Sequence, residues 1–476
     1  MRQKLAVLKQ HCETVGREYE SIHRTSTTFC LMADSDEQAR ALLPAERKAR
    51  IGTKVTTALI GSPETIRQRL TAYEEAGVQE LVLRFVDGTN LRLFAASPGS
   101  VSRKEGYRWG QGARNHMKQL RLSLLGFGTV GRWLAEALHL RQAWLQQELD
   151  VVMTIVSVAT AHHGFIYRGD GLDIPTLLEL ADTRQPLTAH PGVTHWANIL
   201  EGLQATGGDV LAEATGATLR SGEPGLSYIR AALAHGMHVV TSSKGPMALA
   251  GSDLLSLARA QAVQLRMEST VMSGTPVLST IREGMAGTNI RAIRGVLNGT
   301  VNSILSAMAL GRTYAEALAE AQALGYAESD PTDDVEGDDA VAKTLILATV
   351  SFGRALTPEQ VVRSGITTLT REQMQQALDQ GKCIKHVSSL RLLSADGTEV
   401  SRATANSGSI PTRLEARVEP QALPLSDPLA RIDGLLNAIV IQTDTPAEVT
   451  VIGPGAGRFQ AGQGMLADLI AIAKSR

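Results

Sequence analysis

Short apolar runs alternate with helical periodicity through residues 120–241. Residues 120–125, 151–159, 210–215 and 238–241 are dense in Leu, Val, Ile and Ala and read as buried strands. Residues 132–140, after the first of them, carry the 3.6-residue period of a helix. Strands alternating with helices predict α/β architecture: a doubly wound, parallel, Rossmann-type sheet. An α+β part follows, and helix and strand patterns continue to the C-terminus. Upstream the chain reads differently. Residues 64–76 predict a helix with Ile66, Leu70 and Tyr73 on one stripe and Gly77 as its stop. Residues 78–86 predict a strand, and residues 33–50 a further helix. The Gly-, Ser- and Arg-bearing stretch 98–112 reads as a linker.

Composition narrows the class. With 476 residues the chain is long enough for two to four domains with real cores. A formal charge of -1 without long like-charged blocks argues against nucleic acid or a polybasic membrane contact. Cys12, Cys30 and Cys383 are scattered, with neither metal-ligand spacing nor a disulfide framework, so a reducing compartment is expected. The N-terminus lacks the apolar core of a signal peptide, and no apolar run reaches the length of a membrane span. The expectation is a soluble cytoplasmic protein.

Gly126-Phe127-Gly128-Thr129-Val130-Gly131 stands between a predicted strand and a predicted helix. In that setting the glycines allow a tight turn, close approach of backbone to a pyrophosphate, and close helix–sheet packing. The helix N-terminus adds N–H donors and partial positive charge. An acidic residue at the end of the next strand would bind the ribose 2′-hydroxyl of NAD, but Ala159-Thr160-Ala161-His162-His163 stands there. The reading therefore leans to NADP, with NAD as the alternative. Arg168 is a candidate phosphate partner, with an ordinary surface arginine as the competing reading.

Residues 325–343 hold seven acidic residues and end in Lys343, directly before the apolar run 344–350. Charge running into a core-like segment is costly without partners or a ligand. Asp339 and Lys343 are four apart and share a helix face. Spacing alone leaves two readings open: a solvated loop capping a helix, or a binding site. Lys244 follows a predicted strand, and open α/β sheets bind ligands beyond the carboxyl ends of their strands.

Together these segments resemble homoserine dehydrogenases over about residues 118–476. The carriers are residues 126–131, Glu213-Ala214-Thr215-Gly216, 241–244, Asn298-Gly299-Thr300-Val301-Asn302, 325–343 and Gly453-Pro454-Gly455-Ala456-Gly457. The resemblance implies NAD(P)-dependent interconversion of L-aspartate 4-semialdehyde and L-homoserine, a step toward threonine and methionine. By matching position it makes Lys343 the general acid, Asp339 its orienter and a substrate contact, and Lys244 a cation between substrate and nicotinamide. Glu328 and Asp334 would hold the substrate ammonium, and Gly299 and Thr300 would line its pocket. Gly126, Gly128, Thr129, Val130, Gly131, Thr215, Ser243, Lys244 and Gly457 would contact the cofactor. Glu268, Val271, Ser273 and Thr275, with Gly325, match a segment whose backbone oxygens bind sodium. A turn without an ion is the competing reading there.

The chain departs from the family pattern at Met272 and at Ser242-Ser243. It also ends at Arg476, so threonine feedback through a C-terminal ACT-type domain is not expected. The implied organisation is a nucleotide-binding domain over 118–275 completed by 462–476, a substrate domain over 276–413 and a dimerisation region over 414–461, giving a homodimer. Residues 60–66 and 73–78 resemble the C-terminal end of luciferase-like flavin monooxygenases. Those are TIM barrels, which need about 250 residues, so residues 1–115 read as a barrel remnant and linker. Two alternatives from other classes are an inactive Rossmann-type sensor or scaffold and a flavin-linked monooxygenase.

Overall fold

The computed structural model describes residues 2–22, 25–33, 35–41, 59–76, 78, 80–85, 118–162, 164–216, 218–401, 412–445 and 447–475. The expected linker 98–112, the stop at Gly77 and the second half of the helix expected over 33–50 lie outside them. The chain divides into two units, Met1–Arg114 and Asn115–Arg476.

In the first unit, β1 (Thr25–Met32) is the centre of a parallel three-stranded sheet, flanked by β2 (Leu59–Gly61) and β3 (Glu80–Phe85). The helix Pro63–Glu75 starts with proline at its first position, where the missing N–H costs nothing. It buries Ile66 from the expected stripe. Asp36, on the helix Asp36–Ala41, accepts from Ser62 N (2.7 Å) and Thr65 Oγ1 (3.0 Å), which ties the two helix starts together.

The second unit contains two sheets. The first comprises β4 (Lys118–Leu125), β5 (Val151–Thr160), β6 (Gly164–Tyr167), β7 (Thr194–Trp196), β8 (Val210–Glu213), β9 (His238–Thr241) and β10 (Leu265–Arg266). Its order is β10-β9-β8-β4-β5-β6-β7. The first five are parallel, as patterning predicts, but β6 and β7 pair antiparallel at the edge. Strands of four and three residues carry too few alternations to announce themselves. Leu120, Leu122, Leu124, Val210 and Ala212 are buried on one side with Met465, Leu466, Leu469 and Ile472 of the C-terminal helix Arg458–Ser475. That last helix thus completes the layer over the nucleotide-type sheet.

The second sheet comprises β11 (Ile290–Val296), β12 (Val361–Arg363), β13 (Lys382–Ser394), β14 (Thr412–Pro424), β15 (Leu436–Thr443) and β16 (Glu448–Pro454), in the order β12-β14-β13-β11-β15-β16. Residues 437–441 of β15 are buried on both faces. Ile439 and Ile441 join a core with Ala340, Val341, Leu345 and Leu347, while Ala438 and Val440 join one with Val387 and Leu429. The expected boundary at 413/414 lies inside this sheet, where β13 and β14 pair from Lys382↔Pro424 to Ser394↔Thr412. Cys12 and Cys383 are buried free thiols. Among the described residues no helix is long and apolar enough to cross a membrane.

Candidate functional site

Two clefts of about 750 and 770 Å³ border the carboxyl ends of the parallel strands. The Gly126–Gly131 turn separates them. Gly126 has φ +93°, and a Cβ there would lie 2.2 Å from Ala214 O. A Cβ on Gly131 would lie 2.0 Å from Gly126 O. Both positions therefore demand glycine for packing. Gly128 differs: nothing lies within 4 Å of where its Cβ would be. It caps the helix Thr129–Leu140 and leaves open space before the helix N-terminus, the cradle that a pyrophosphate needs. Gly126, Gly128 and Thr215 line the first cleft; Thr129, Val130, Lys244 and Gly457 line the second. Ser243 lines neither. It is buried, with its hydroxyl 2.9 Å from both Glu213 Oε1 and Thr215 O, and Ser242 faces the second cleft instead.

The acidic stretch folds as a short turn of helix, Thr332–Val335, followed by the helix Asp338–Leu347, with Gly337 between them at φ +87°. This helix is buried along almost its whole length, and the one-turn spacing brings Lys343 Nζ to 2.7 Å from Asp339 Oδ2. Lys343 also donates to Leu297 O at 2.6 Å. The other oxygen of Asp339 accepts a close hydrogen bond from Lys244, which begins the helix Lys244–Ala260 after β9. One carboxylate therefore bridges two ammonium groups from two layers of the fold. They differ in setting: the Lys343 side chain is 8% exposed and that of Lys244 36%.

Burial acts on each group according to its partners. It pushes the Lys343 ammonium below its ordinary range, Asp339 opposes that, and the charge of Lys244 adds to it. Lys244 moves the other way, held above its ordinary range by Asp339. Burial alone would raise the Asp339 carboxyl, but Lys343 and then Lys244 more than offset it and hold it well below the usual range. Asp334, less buried, is raised by desolvation.

Asn298 is the residue that sequence reasoning passed over. Its amide nitrogen donates to Asp334 Oδ1 (2.7 Å) and Asp339 Oδ2 (3.0 Å), and its oxygen accepts from Val301 N (2.9 Å), capping the helix Gly299–Ala309. An N-cap asparagine before a helix was the available signal; its second task needed the fold. Gly299 and Thr300 line the second cleft with Asp334, Asp339, Lys244 and Lys343, so those six expected site residues converge. Glu328 does not: its side chain is exposed and outside the cleft lining, and Gln322 Nε2 holds its backbone carbonyl at 3.1 Å.

Of the expected cation ligands, Ser273 and Gly325 line this cleft, whereas Glu268, Val271 and Thr275 are buried behind it. The Glu268 carboxylate accepts from Leu278 N (2.8 Å) and Ser279 N (2.7 Å), which fixes it against the following segment. Among the described residues, no group of three or more His, Cys, Asp or Glu side chains could hold a metal. Arg168, the other phosphate candidate, makes a bidentate pair with Asp170 (2.7 and 2.9 Å) and stays off both clefts.

Comparison with known proteins agrees with this geometry. The family model for homoserine dehydrogenase matches residues 276–470. The NAD(+)-dependent homoserine dehydrogenase of Pseudomonas canavaninivorans is 39% identical over 360 residues, 75% of this chain and 97% of that one. The homoserine dehydrogenase of Methanocaldococcus jannaschii is 32% identical over 353 residues, 74% of this chain and 98% of the relative. Among solved structures, a putative homoserine dehydrogenase from Archaeoglobus fulgidus superposes with a TM-score of 0.63 at 33% identity, covering 74% of this chain and 99% of its own. A hyperthermophilic archaeal homoserine dehydrogenase in complex with NADPH gives 0.61 at 28% identity, covering 75% and 98%. The chain belongs to the homoserine dehydrogenase family of NAD(P)-dependent oxidoreductases.

Proposed function

We propose that the second cleft binds L-aspartate 4-semialdehyde or L-homoserine and that Lys343 is the general acid–base group of their interconversion. The observation that carries this is the Lys343–Asp339–Lys244 bridge at the cleft wall. In the reducing direction, negative charge develops on the carbonyl oxygen and needs a proton donor and a nearby cation. Lys343 Nζ supplies the proton, and its lowered affinity for that proton eases the transfer. Lys244 stays charged and stabilises the oxygen. Asp339 positions both lysines, and Asn298 fixes Asp339. Asp334 holds the substrate ammonium from the wall, and Glu328 adds its charge from the rim. Gly299 and Thr300 shape the pocket; the Thr300 hydroxyl is set by Tyr326 O at 2.8 Å.

The nicotinamide cofactor, when bound, supplies or accepts the hydride. Gly126, Gly128, Thr129, Val130, Gly131, Thr215 and Gly457 would hold it, with Lys244 at its substrate end. We read NADP as the cofactor. Thr160 ends β5, Ala161 and His162 follow it on the first cleft, and Arg132 and Arg184 share its lining with no carboxylate among the described lining residues. The sodium reading for Glu268, Val271, Ser273, Thr275 and Gly325 rests on backbone oxygens, the hard donors such an ion takes. Met272 and Ser273, both left-handed at φ 57° and 52°, turn the chain sharply there.

We read residues 414–461 as the dimer contact and residues 1–115 as a barrel remnant, the latter supported by an all-parallel first sheet. Purified protein with homoserine and NADP or NAD, followed by nicotinamide absorbance, tests the function; no turnover with either cofactor would refute it. Deleting residues 1–115 should leave kcat within about twofold, and a loss of turnover in a folded product would overturn the remnant reading.

A further inference from the structure

Glu213 ends β8 with no exposed surface, outside the Lys343–Asp339–Lys244 bridge. Its carboxylate collects four hydrogen bonds. Oε1 accepts from Thr215 N (2.8 Å), Thr215 Oγ1 (2.5 Å) and Ser243 Oγ (2.9 Å). Oε2 accepts from Thr241 Oγ1 (2.5 Å), which itself accepts from Ser243 N (2.9 Å). One side chain thus locks the turn after β8 to the turn after β9. The residues on those turns line the two clefts, Thr215 and Gly216 the first and Ser242 and Lys244 the second.

All four donors to Glu213 are neutral. Burying a carboxylate against neutral partners is costly, and a neutral amide could link two turns at lower cost. A buried charge that is satisfied but not neutralised projects its field further than a paired one, because little solvent screens it. A cationic group held where the two clefts meet these turns would feel it. The oxidised nicotinamide ring carries a positive charge and the reduced ring does not.

We propose that Glu213 is a positioning residue for the cofactor turns whose buried charge makes the site prefer the oxidised, cationic nicotinamide over the reduced ring. This rests on the reading of these clefts as the cofactor site. The bias favours product-side binding in the reducing direction and substrate-side binding in the oxidising one.

Dissociation constants of NADP+ and NADPH, measured by calorimetry or by NADPH fluorescence on the full-length protein, test it in wild type, Glu213→Gln and Glu213→Asp. Circular dichroism and Tm check folding in each. Glu213→Gln should weaken NADP+ about tenfold and NADPH less than about threefold, as expected for one charge removed at low screening. Glu213→Asp keeps the charge but shortens the reach, so it should weaken both forms alike. A folded Glu213→Gln protein whose two constants move together, or do not move, overturns the proposal. If Glu213→Gln does not fold, Thr215→Val serves. It breaks one lock while keeping the charge and should weaken both forms equally, so unequal weakening counts against the assignment. Wild-type protein that binds neither form would remove the cofactor reading itself.

Discussion

Two walls of the candidate site are built on opposite principles. The turn at residues 126–131 works by removing side chains: Gly126 and Gly131 let backbone meet backbone, and Gly128 leaves space. The wall at residues 334–343 works by burying charge: Asp339, Lys343 and Lys244 form a bridged triad that Asn298 fastens. The first wall is shaped to receive a group brought from outside, so its energetic demand is steric. The second holds its charged groups in place before anything binds, so its demand is electrostatic. Substitutions should therefore fail in different ways on the two sides.

The largest effect is expected at Lys343. Lys343→Ala should lower kcat by about 10²–10⁴-fold, the range for a lost general acid, while NADPH affinity stays within about threefold. Asp339 retains Lys244 in that variant, so the carboxylate is not stranded. Unchanged turnover in a folded variant would break the contrast between the walls. Asp339→Asn comes next, with kcat falling by roughly 10²-fold. It leaves two ammonium groups facing one amide. Burial already lowers Lys343, and without its counter-charge the lysine should fall further. Reduction requires protonated Lys343, so rate is lost as pH rises through its pKa. The basic limb of the pH–rate profile should therefore shift to lower pH in Asp339→Asn, and a limb that stays put would remove Asp339 as orienter.

Much of this contrast was legible in the chain. The glycine turn announces itself because its requirements are local: spacing, a strand before and a helix after. The Asp339–Lys343 pairing follows from helix geometry, and β4, β5, β8 and β9 from segments dense in Leu, Val, Ile and Ala. What stayed hidden is long-range. Asn298 and Asp339 stand 41 positions apart, and Lys244 and Asp339 95. The packing of helix Lys244–Ala260 on helix Asp338–Leu347 joins the second pair. Ser243 and Glu328 show the converse limit. Matching position put both in the site, yet Ser243 turns into the buried Glu213 network and Glu328 is exposed outside the cleft lining. The direction of a side chain at a turn is set by neighbours far along the chain. Four other acids of the stretch keep plain structural roles in fold or surface. Asp330 accepts from Thr332, Asp338 pairs with Arg363 and Glu336 accepts from Thr367, while Asp333 is simply exposed.

On the steric wall, two alanines separate packing from binding. Gly131→Ala forces a methyl against Gly126 O and should destabilise the fold by about 1–3 kcal/mol, the usual cost of overpacking. Gly128→Ala meets open space, so its Tm should stay within about 2 °C while cofactor affinity drops roughly tenfold, because the methyl occupies the cradle. A Gly128→Ala protein that binds NADPH normally would show that the open space at Gly128 is not the pyrophosphate seat.

The smallest effect tests whether charge behind the steric wall matters to stability rather than chemistry. Asp468, on the C-terminal helix behind the glycine turn, is buried and accepts from Glu268 N at 2.8 Å. Burial raises its carboxyl from 3.8 to about 7; the Glu268 N–H opposes that, the Glu268 charge adds to it, and Arg282 and Arg266 oppose it. The native state therefore holds a proton that the unfolded chain releases near pH 4. Stability from this group is greatest below that point and is lost as pH rises toward 7, by up to roughly 4 kcal/mol. Asp468→Asn keeps an oxygen for Glu268 N but has no proton to lose. Its stability in urea should match wild type near pH 4.5 and exceed it at pH 8, with kcat unchanged at both. Parallel stability curves for the two proteins across that range would show that Asp468 stays ionised and that the arginines, not burial, set its state.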